Sequence, residues 1–271
     1  MLTLLIILLI LAGLWLLLVW PNPGRQARMA PWRGRSFAHR GLHDAKTGVI
    51  ENTLPAFEAA CERGFGIELD IQFTRDMRVV VFHDDDLARL TGNRRKVREV
   101  SLEELRAMPL KGVRTARVPT LSEALRQIDG RAPLLIELKN GQANDRLCRA
   151  LVEQLRSYSG EYIVESFNPM IVRWFKKHAP EIPRGQLVCA AKGYQGAVGR
   201  IGGFFLSNLL LNALARPDFI AYDVNEPKFL APKLQRRLFK TPMAAWTVRT
   251  MPVAALVETR GDICIFEQIR P

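Results

Sequence analysis

Cysteines are few and scattered in this chain. The four of them, Cys61, Cys148, Cys189 and Cys264, form no CxxC or CxxH pair, and most lie in apolar surroundings. Structural zinc sites and disulfide frameworks usually need closely or regularly spaced cysteines, so the spacing argues against both. We therefore expect buried, reduced thiols, as in a cytoplasmic enzyme.

Acidic residues are also in short supply. Lys and Arg number 39 against 27 Asp and Glu, which gives a formal net charge of +12. Such a charge suits an anionic partner, either a nucleic acid or an anionic lipid surface. No RNA- or DNA-binding motif occurs in the sequence, so we expect a membrane lipid partner and no nucleic acid.

The first twenty residues contain no charged side chain. The run MLTLLIILLILAGLWLLLVW would span about 30 Å as a helix, which matches the hydrocarbon thickness of a bilayer. A cleaved signal peptide would begin with basic residues and end at a small-residue cleavage site, whereas this run has no basic start and continues as PNPGRQARMAPWRGR. The sequence predicts an uncleaved transmembrane anchor over 1–20.

A basic segment follows the anchor over 21–34, and we interpret it as a linker. Arg25, Arg28, Arg33 and Arg35 all lie on this side of the apolar run. Positive charge next to a membrane helix marks its cytoplasmic end. The pattern therefore predicts a single-pass membrane protein whose remaining residues face the cytoplasm.

Residues 35–271 alternate short apolar runs with helical patterns. Eight runs have the character of strands, at 36–39, 66–73, 134–138, 162–166, 186–190, 219–223, 243–248 and 263–267. Strands that alternate with helices are typical of a parallel sheet, and eight of them predict a (β/α)8 TIM barrel. The segment 84–118 is too long for an ordinary connection, so we predict a small insertion over the barrel mouth.

The run VVVFH, residues 79–83, follows the second strand too closely for a parallel crossover. It is therefore predicted to fold back as an antiparallel arm. A two-residue turn at 76–77 would place His83 opposite Asp70. Because side chains alternate along a strand, Glu68 shares the face of Asp70, and we expect this face to line the barrel lumen.

Barrel enzymes carry their catalytic groups at the carboxyl ends of the strands. Polar residues at the ends of the first three strands are His39, Arg40, Glu68, Asp70, Glu137 and Lys139. Three inward carboxylates need a compensating cation, and all-oxygen ligands favour one Mg²⁺ or Ca²⁺ ion. These residues predict a metal site formed by Glu68, Asp70 and Glu137.

The remaining polar groups suit phosphate chemistry. Arg40 and Lys139 supply positive charge for an anionic phosphate group. His39 and His83 titrate near neutrality, so one can deprotonate a nucleophile and the other can protonate a leaving alkoxide. A metal, a base and an acid together predict phosphodiester cleavage, with the assignment of base and acid left open.

The motifs resemble those of the glycerophosphodiester phosphodiesterase family. AHRG, ENTLPAFEAA, ELDIQFTRD, VVVFHD, LLIELK, ESF and AWTV occur in the family's order from about residue 36 to the C-terminus. The resemblance implies a (β/α)8 barrel with a small insertion that uses a divalent cation to hydrolyse glycerophosphodiesters to glycerol 3-phosphate and an alcohol. It also implies that Phe167 and Trp246 line the substrate pocket.

Four features depart from the family pattern. Met77 replaces the glycine usual in the hairpin turn, and Glu165 stands where a small or neutral polar residue is common. Arg249 follows AWTV where the family has asparagine, and the closing TDxP of the family reads FEQIRP. Membrane-anchored relatives include enzymes similar to lysophospholipase D, which form lysophosphatidic acid. We therefore expect the substrate to be a glycerophosphodiester or a lysophospholipid.

Two further possibilities bear on function. A phospholipase C-like barrel would use paired histidines to form a cyclic phosphate, and a non-catalytic membrane-tethered barrel would have lost the chemistry. The apolar stretch 201–219 is either an interfacial helix near the lipid entrance, or else a buried barrel helix or a crowded βα loop.

Overall fold

In the computed structural model, the chain forms a closed barrel of eight parallel strands. The structure describes residues 1–44, 46–111, 113–226 and 229–271. The barrel strands are β1 Ser36–Ala38, β2 Gly66–Phe73, β4 Leu134–Leu138, β5 Tyr162–Ser166, β6 Arg184–Val188, β7 Phe219–Asp223, β8 Met243–Val248 and β9 Ile263–Phe266, and the ninth strand, β3 Val79–Val81, is an antiparallel arm paired with β2. β1 pairs with both β2 and β9, which closes the sheet. The predicted (β/α)8 architecture is confirmed.

Helices precede the barrel, cover it and form part of the insertion. They are α1 Leu2–Val19, α2 Arg25–Met29, α3 Leu54–Glu62, α4 Ala88–Thr91, α5 Leu102–Ala107, α6 Leu121–Ile128, α7 Asn144–Leu155, α8 Pro169–His178, α9 Ala191–Ser207, α10 Asn212–Ala215, α11 Leu230–Phe239 and α12 Met251–Thr259. The sequence encodes several of their ends. Ser101 and Glu104 form a capping box at α5, and Thr120 and Glu123 form another at α6.

One barrel strand begins earlier than the sequence indicates. β6 covers Arg184–Val188 where 186–190 is predicted. This strand position requires glycine, because the ring of Phe219 fills the space that a side chain would need. Ring carbons of Phe219 lie 2.2 Å from the position of an ideal Cβ on Gly185. A polar residue followed by glycine resembles a turn in sequence, whereas the neighbouring ring makes this pair part of a packed strand.

The β2–β3 hairpin is confirmed, but its predicted pairing is wrong by one residue. Ile71 lies opposite Val81, and the amide of Phe82 donates to the carbonyl of Asp70. The loop has three residues instead of two, with Met77 in the left-handed region at φ 57°. A two-residue type I′ turn would require two left-handed residues, whereas this loop requires one.

Side-chain alternation separates two apolar layers in the barrel. Ile67, Leu69 and Ile71 face the surrounding helices and are fully buried there, as the strand pattern predicts. The opposite face forms the lumen, where the lower positions are apolar and the upper positions are polar. The lower layer consists of Phe37, Leu135, Ile163, Leu187, Phe219, Ala221, Ala244, Ile263 and Ile265.

The segment 21–34 closes the base of the barrel. Met29 of α2 and Trp32 are buried against the lower lumen layer. Arg28 pairs with Asp218 at 2.9 Å, so the segment is bonded to the barrel wall by charge as well as by apolar contact. What the sequence presents as a basic linker is folded onto the barrel in the structure.

The insertion has its own small core beside the hairpin. The side chains of Leu87, Val97, Val100 and Leu105 pack around Phe82 on the arm that carries His83. This packing buries Val80 of β3, whereas Val79 and Val81 on the opposite face belong to the main core beneath the barrel helices. The insertion therefore supports the histidine arm from outside the barrel.

Helix α1 is long and apolar enough to cross a membrane. Its side chains are exposed except at the C-terminal end, where Val19 is buried. The carbonyl of Val19 accepts hydrogen bonds from Asn212 and Gln235, and the ring of Trp20 contacts that of Phe239 edge to face. The end of α1 is therefore fixed to α10 and α11.

The stretch 201–219 is divided between several elements. Its first part belongs to α9, which is kinked at Gly199, and α10 follows after a turn. Within the stretch, Leu209 and Asn212 are buried while Ile201 and Phe204 are exposed. The single apolar helix suggested by the sequence is therefore two helices with different exposure.

Candidate active site

Acidic side chains occupy the lumen at the mouth of the barrel. Strand register places Asp70 of β2 beside Glu137 of β4, and Glu137 beside Glu165 of β5. Glu68 lies two residues before Asp70 on the same face. Carboxylate oxygens of Glu68, Asp70 and Glu137 all lie within 4.8 Å of one another. The structure brings together the three residues predicted as metal ligands.

Ionising several carboxylates together in a buried site costs free energy. Burial, followed by the neighbouring acids, raises the pKa of Glu68 and of Glu165 well above the usual range. Burial also raises the pKa of Glu137. The pKa of Asp70 is lowered instead, because Lys139, His83 and Arg40 outweigh its burial. The raised pKa values of Glu68, Glu137 and Glu165 show that the positive charges of Lys139 and Arg40 do not fully compensate the buried carboxylates.

The donor set fits a hard divalent cation. Glu68, Asp70 and Glu137 offer only oxygen atoms, which suits Mg²⁺ or Ca²⁺, and all three are less than one-tenth exposed. Asn52 donates to the second oxygen of Asp70 at 2.8 Å. Such a contact orients a ligand carboxylate from behind.

Lys139 and Arg40 place positive charge beside the acids. Lys139 Nζ lies 2.7 Å from Asp70 Oδ1 and 2.8 Å from Glu137 Oε1. Although burial opposes the charge, the two carboxylates raise the pKa of Lys139, so its ammonium stays protonated. Arg40 Nη1 lies 2.7 Å from Glu51, and its Nε lies 3.7 Å from Asp70. Both cations are thus paired with carboxylates at the barrel mouth.

The turn after β1 forms one edge of the site. Arg40 has φ 60°, and its backbone amide donates to Glu68 Oε2 at 2.8 Å. Gly41 has φ 77°, and a Cβ there would lie 2.9 Å from backbone and side-chain carbons of Ala56. Only glycine meets both conditions, so the HRG sequence fixes the path of the chain beside Glu68.

Replacing Gly41 with alanine is expected to destabilise the fold by about 2 to 4 kcal/mol. The left-handed conformation contributes about 1 to 3 kcal/mol, and the close contact with Ala56 adds to it. Gly34→Ala is the matched control, because Gly34 has φ 71° and open space around it. Chemical denaturation of both variants measures the difference. Equal destabilisation would contradict a packing role for Gly41.

His39 lies at the end of β1 and is largely buried. Its Nδ1 is 3.4 Å from Glu267, a residue that follows β9. Burial lowers the pKa of His39 to about 4, although Glu267 opposes the shift, so the ring is neutral at pH 7. Arg249 also pairs with Glu267, at 2.6 Å. Arg249, which stands where the family has asparagine, therefore places a positive charge next to the carboxylate that contacts His39.

His83 is held by a chain of ionic contacts that starts at the insertion. Its Nδ1 lies 2.7 Å from Asp84 Oδ1. Arg89 of α4 donates to the other oxygen of Asp84 and forms two hydrogen bonds to Glu51. Despite partial burial, His83 and Arg89 hold the pKa of Asp84 well below its usual range. Although the hairpin register differs by one residue, His83 reaches the same cavity as Glu137.

An aromatic wall completes the cavity. Phe167 and Trp246 meet edge to face with ring centroids 5.7 Å apart, and Phe167 meets Tyr194 in the same way at 6.1 Å. The cavity has a volume of about 230 Å³, which suits a small polar group. Its lining includes His39, His83, Arg40, Glu68 and Glu137 together with both aromatic residues. The predicted site residues thus converge at one mouth, with Asp70 and Lys139 directly behind.

Several residues of the site were not predicted from sequence. Glu51 and Asn52 lie in the ENT motif, Arg89 lies in the insertion, and Glu267 follows the last strand. Glu267 had a usable signal, since a polar residue at the end of any barrel strand faces the mouth. The other three lie outside the strands, Glu51 and Asn52 in the turn before α3 and Arg89 on α4, so strand parity gives no guidance.

Comparison with known proteins identifies the family of this arrangement. Residues 39–266 match the model of the glycerophosphoryl diester phosphodiesterase family. A glycerophosphodiester phosphodiesterase of Caldanaerobacter subterraneus subsp. tengcongensis is 36% identical over 163 residues, which are 55% of this chain and 65% of that protein. Human lysophospholipase D GDPD3 is 31% identical over 58% of this chain and 52% of its own length. The chain thus spans less than two thirds of these relatives.

Solved structures share the fold over a longer range. An Oleispira antarctica phosphodiesterase in complex with the product sn-glycerol-3-phosphate has a TM-score of 0.67 and 23% identity, over 88% of this chain and 94% of that one. A glycerophosphodiester phosphodiesterase from Thermotoga maritima has a TM-score of 0.63 and 25% identity, over 85% and 93%. The chain therefore shares its barrel fold with these solved structures.

Proposed function

Because this chain belongs to the glycerophosphoryl diester phosphodiesterase family, we propose that it is a metal-dependent phosphoric diester hydrolase. Its substrates are glycerophosphodiesters or lysophospholipids, and its products are glycerol 3-phosphate or lysophosphatidic acid plus an alcohol. The observation that carries the proposal is the meeting of three carboxylates, two cations and two histidines at one barrel mouth.

The residues divide the reaction between binding and proton transfer. Glu68, Asp70 and Glu137 would hold Mg²⁺ or Ca²⁺, which supplies positive charge for the phosphate oxygens when bound. Arg40 and Lys139 bind the same phosphate from the protein side.

The histidines act on the two sides of the phosphorus. His39, kept neutral by burial, accepts the proton of the attacking water. His83, positioned by Asp84, donates a proton to the leaving alkoxide. Phe167 and Trp246 exclude water from the rest of the substrate and contact its apolar part.

We further propose that α1 is a transmembrane anchor and that the barrel lies on the cytoplasmic side. The exposed, uncharged helix supports an anchor, and the arginines that follow it support the orientation. In this proposal the chain consists of an anchor over 1–20, a basic segment over 21–34 and a barrel over 35–271 that contains the insertion 84–118. An anchored barrel is suited to substrates that reside in the membrane.

Substrate class is tested with the full chain in detergent after EDTA treatment. Glycerophosphocholine, lysophosphatidylcholine and lysophosphatidylethanolamine are each assayed with Mg²⁺ or Ca²⁺. We expect hydrolysis to depend on the added metal and to favour the lysophospholipids. A strong preference for glycerophosphocholine would overturn the lipid half of the proposal, and no activity on any diester would overturn all of it.

A further inference from the structure

Exposed apolar side chains form a stripe along α9 and α10. The residues are Val198, Ile201, Phe204 and Phe205 of α9 and Leu214 of α10, which are 41% to 78% exposed. Ile201, Phe204 and Phe205 are three and four residues apart, so they share one side of the helix. These five residues are called the α9 patch below.

The segment that carries the α9 patch contains basic but no acidic residues, although Lys192 Nζ lies 3.6 Å from Glu226 at the start of α9. Residues 191–216 include Lys192, Arg200 and Arg216 but no Asp or Glu. Lys192 and Arg200 are exposed to solvent. Aromatic and aliphatic side chains flanked by cations match the boundary between hydrocarbon and headgroups in an anionic leaflet. The charge pattern thus favours a lipid surface as the occupant.

The α9 patch is continuous with the end of the apolar helix α1. Asn212 Nδ2 donates to the carbonyl of Val19 at 3.2 Å, and Leu214 of the patch follows two residues later. Arg216 Nη1 donates to the carbonyl of Trp20 at 2.9 Å. An α1 helix that enters a bilayer would therefore bring the patch to the surface of the same bilayer.

The other end of α9 reaches the active site. The helix begins next to the mouth, where the ring of Tyr194 contacts Phe167 of the cavity wall. The helix is kinked at Gly199, and an ideal Cβ on Gly203 would lie 2.9 Å from the carbonyl oxygen of Ala191 and 3.5 Å from Tyr194 Cβ, so its second half packs back on its first. The second half of α9, which carries most of the α9 patch, therefore lies close to the mouth, and α10 links it to the end of α1.

We propose that the α9 patch rests in the headgroup and upper acyl region of the anionic membrane that α1 spans. A lysophospholipid would then reach the cavity along α9, past Tyr194 and Phe167. The choice of lysophospholipid rests on the proposed function, whereas the membrane contact itself does not.

Photo-crosslinking tests the contact directly. The full chain is placed in nanodiscs that contain phosphatidylglycerol, with p-benzoylphenylalanine in place of Phe204. Leu256 is the control position, because it is 49% exposed on α12, which packs on β8 and β9 away from α9. We expect lipid adducts at position 204 and only background at 256. Absence of lipid adducts at 204, or adducts to a second copy of the chain instead, would overturn the proposal.

Kinetics test the delivery of substrate. Phe204→Glu is expected to lower the hydrolysis of lysophosphatidylcholine in phosphatidylglycerol vesicles by about tenfold, since an aromatic ring no longer enters the bilayer. Leu256→Glu is expected to leave this rate unchanged, and both variants should hydrolyse soluble glycerophosphocholine as the unmodified protein does. Equal rates of the two variants on vesicles would overturn the delivery route. Failure of the unmodified protein on every diester would overturn the proposed function, while the lipid adducts still decide the contact.

Discussion

Replacing His39 with alanine is expected to lower kcat/KM for phosphodiester hydrolysis by about a hundredfold to ten-thousandfold. The loss follows from the proposed role of His39 as the proton acceptor, since burial holds its ring in the neutral form beside the acidic cluster. The assay uses purified, metal-replete full-length protein with glycerophosphocholine and with lysophosphatidylcholine.

The control for this experiment is His178→Ala. His178 lies at the end of α8, where its ring packs on that of Trp174 with centroids 4.9 Å apart. It does not line the active-site cavity, so activity should stay within about twofold of the unmodified protein. Unchanged activity of the His39 variant would support a non-catalytic barrel and contradict the assignment.

Asp70→Asn is expected to abolish binding of the divalent cation and to lower activity by at least about a hundredfold. Asp70 is fully buried, and its charge is the one that the site stabilises most strongly. Changes behind metal ligands cost about tenfold to a hundredfold in metal affinity, so loss of a ligand charge should cost more. Isothermal titration with Mg²⁺ and Ca²⁺ measures the binding separately from the reaction.

Two controls separate a metal effect from a folding effect. Glu58→Gln removes an exposed carboxylate that pairs with Arg131 on the barrel surface, and it should leave metal binding unchanged. EDTA treatment of the unmodified protein should remove activity without unfolding it, and added metal should restore the activity. Full activity after EDTA, with no metal retained, would contradict the metal role of the acidic cluster.

Much of this site was predictable because strand geometry is regular. Parity along β2 was enough to place Glu68 and Asp70 in the lumen, and parallel register then aligned Asp70 with Glu137. The returning arm with His83 followed from a connection too short for a crossover. These inferences depend on local chain geometry, which the sequence encodes directly.

The hairpin register was wrong for a local reason, because Met77 adopts the left-handed conformation that a three-residue loop needs.

The other parts that were wrong or missed depend on contacts between distant segments. Gly185 belongs to a strand because Phe219, 34 residues later, fills its space. Glu267 reaches His39 from the opposite end of the chain. Tertiary packing decides each of these cases, so local patterns were insufficient.

On the proposed function and anchor, the short connection between α1 and the barrel limits where the hydrolase can act. Only residues 20–24 separate α1 from α2, and Asn22 is itself tied to the wall by a hydrogen bond between its amide and the carbonyl of Pro217. A connection this short, fixed to the barrel wall, does not let the barrel reorient relative to α1. The mouth of the barrel therefore cannot reach a neighbouring vesicle. Turnover would then be confined to the leaflet that carries the anchor. Its rate would follow the two-dimensional density of substrate in that leaflet and not the bulk concentration.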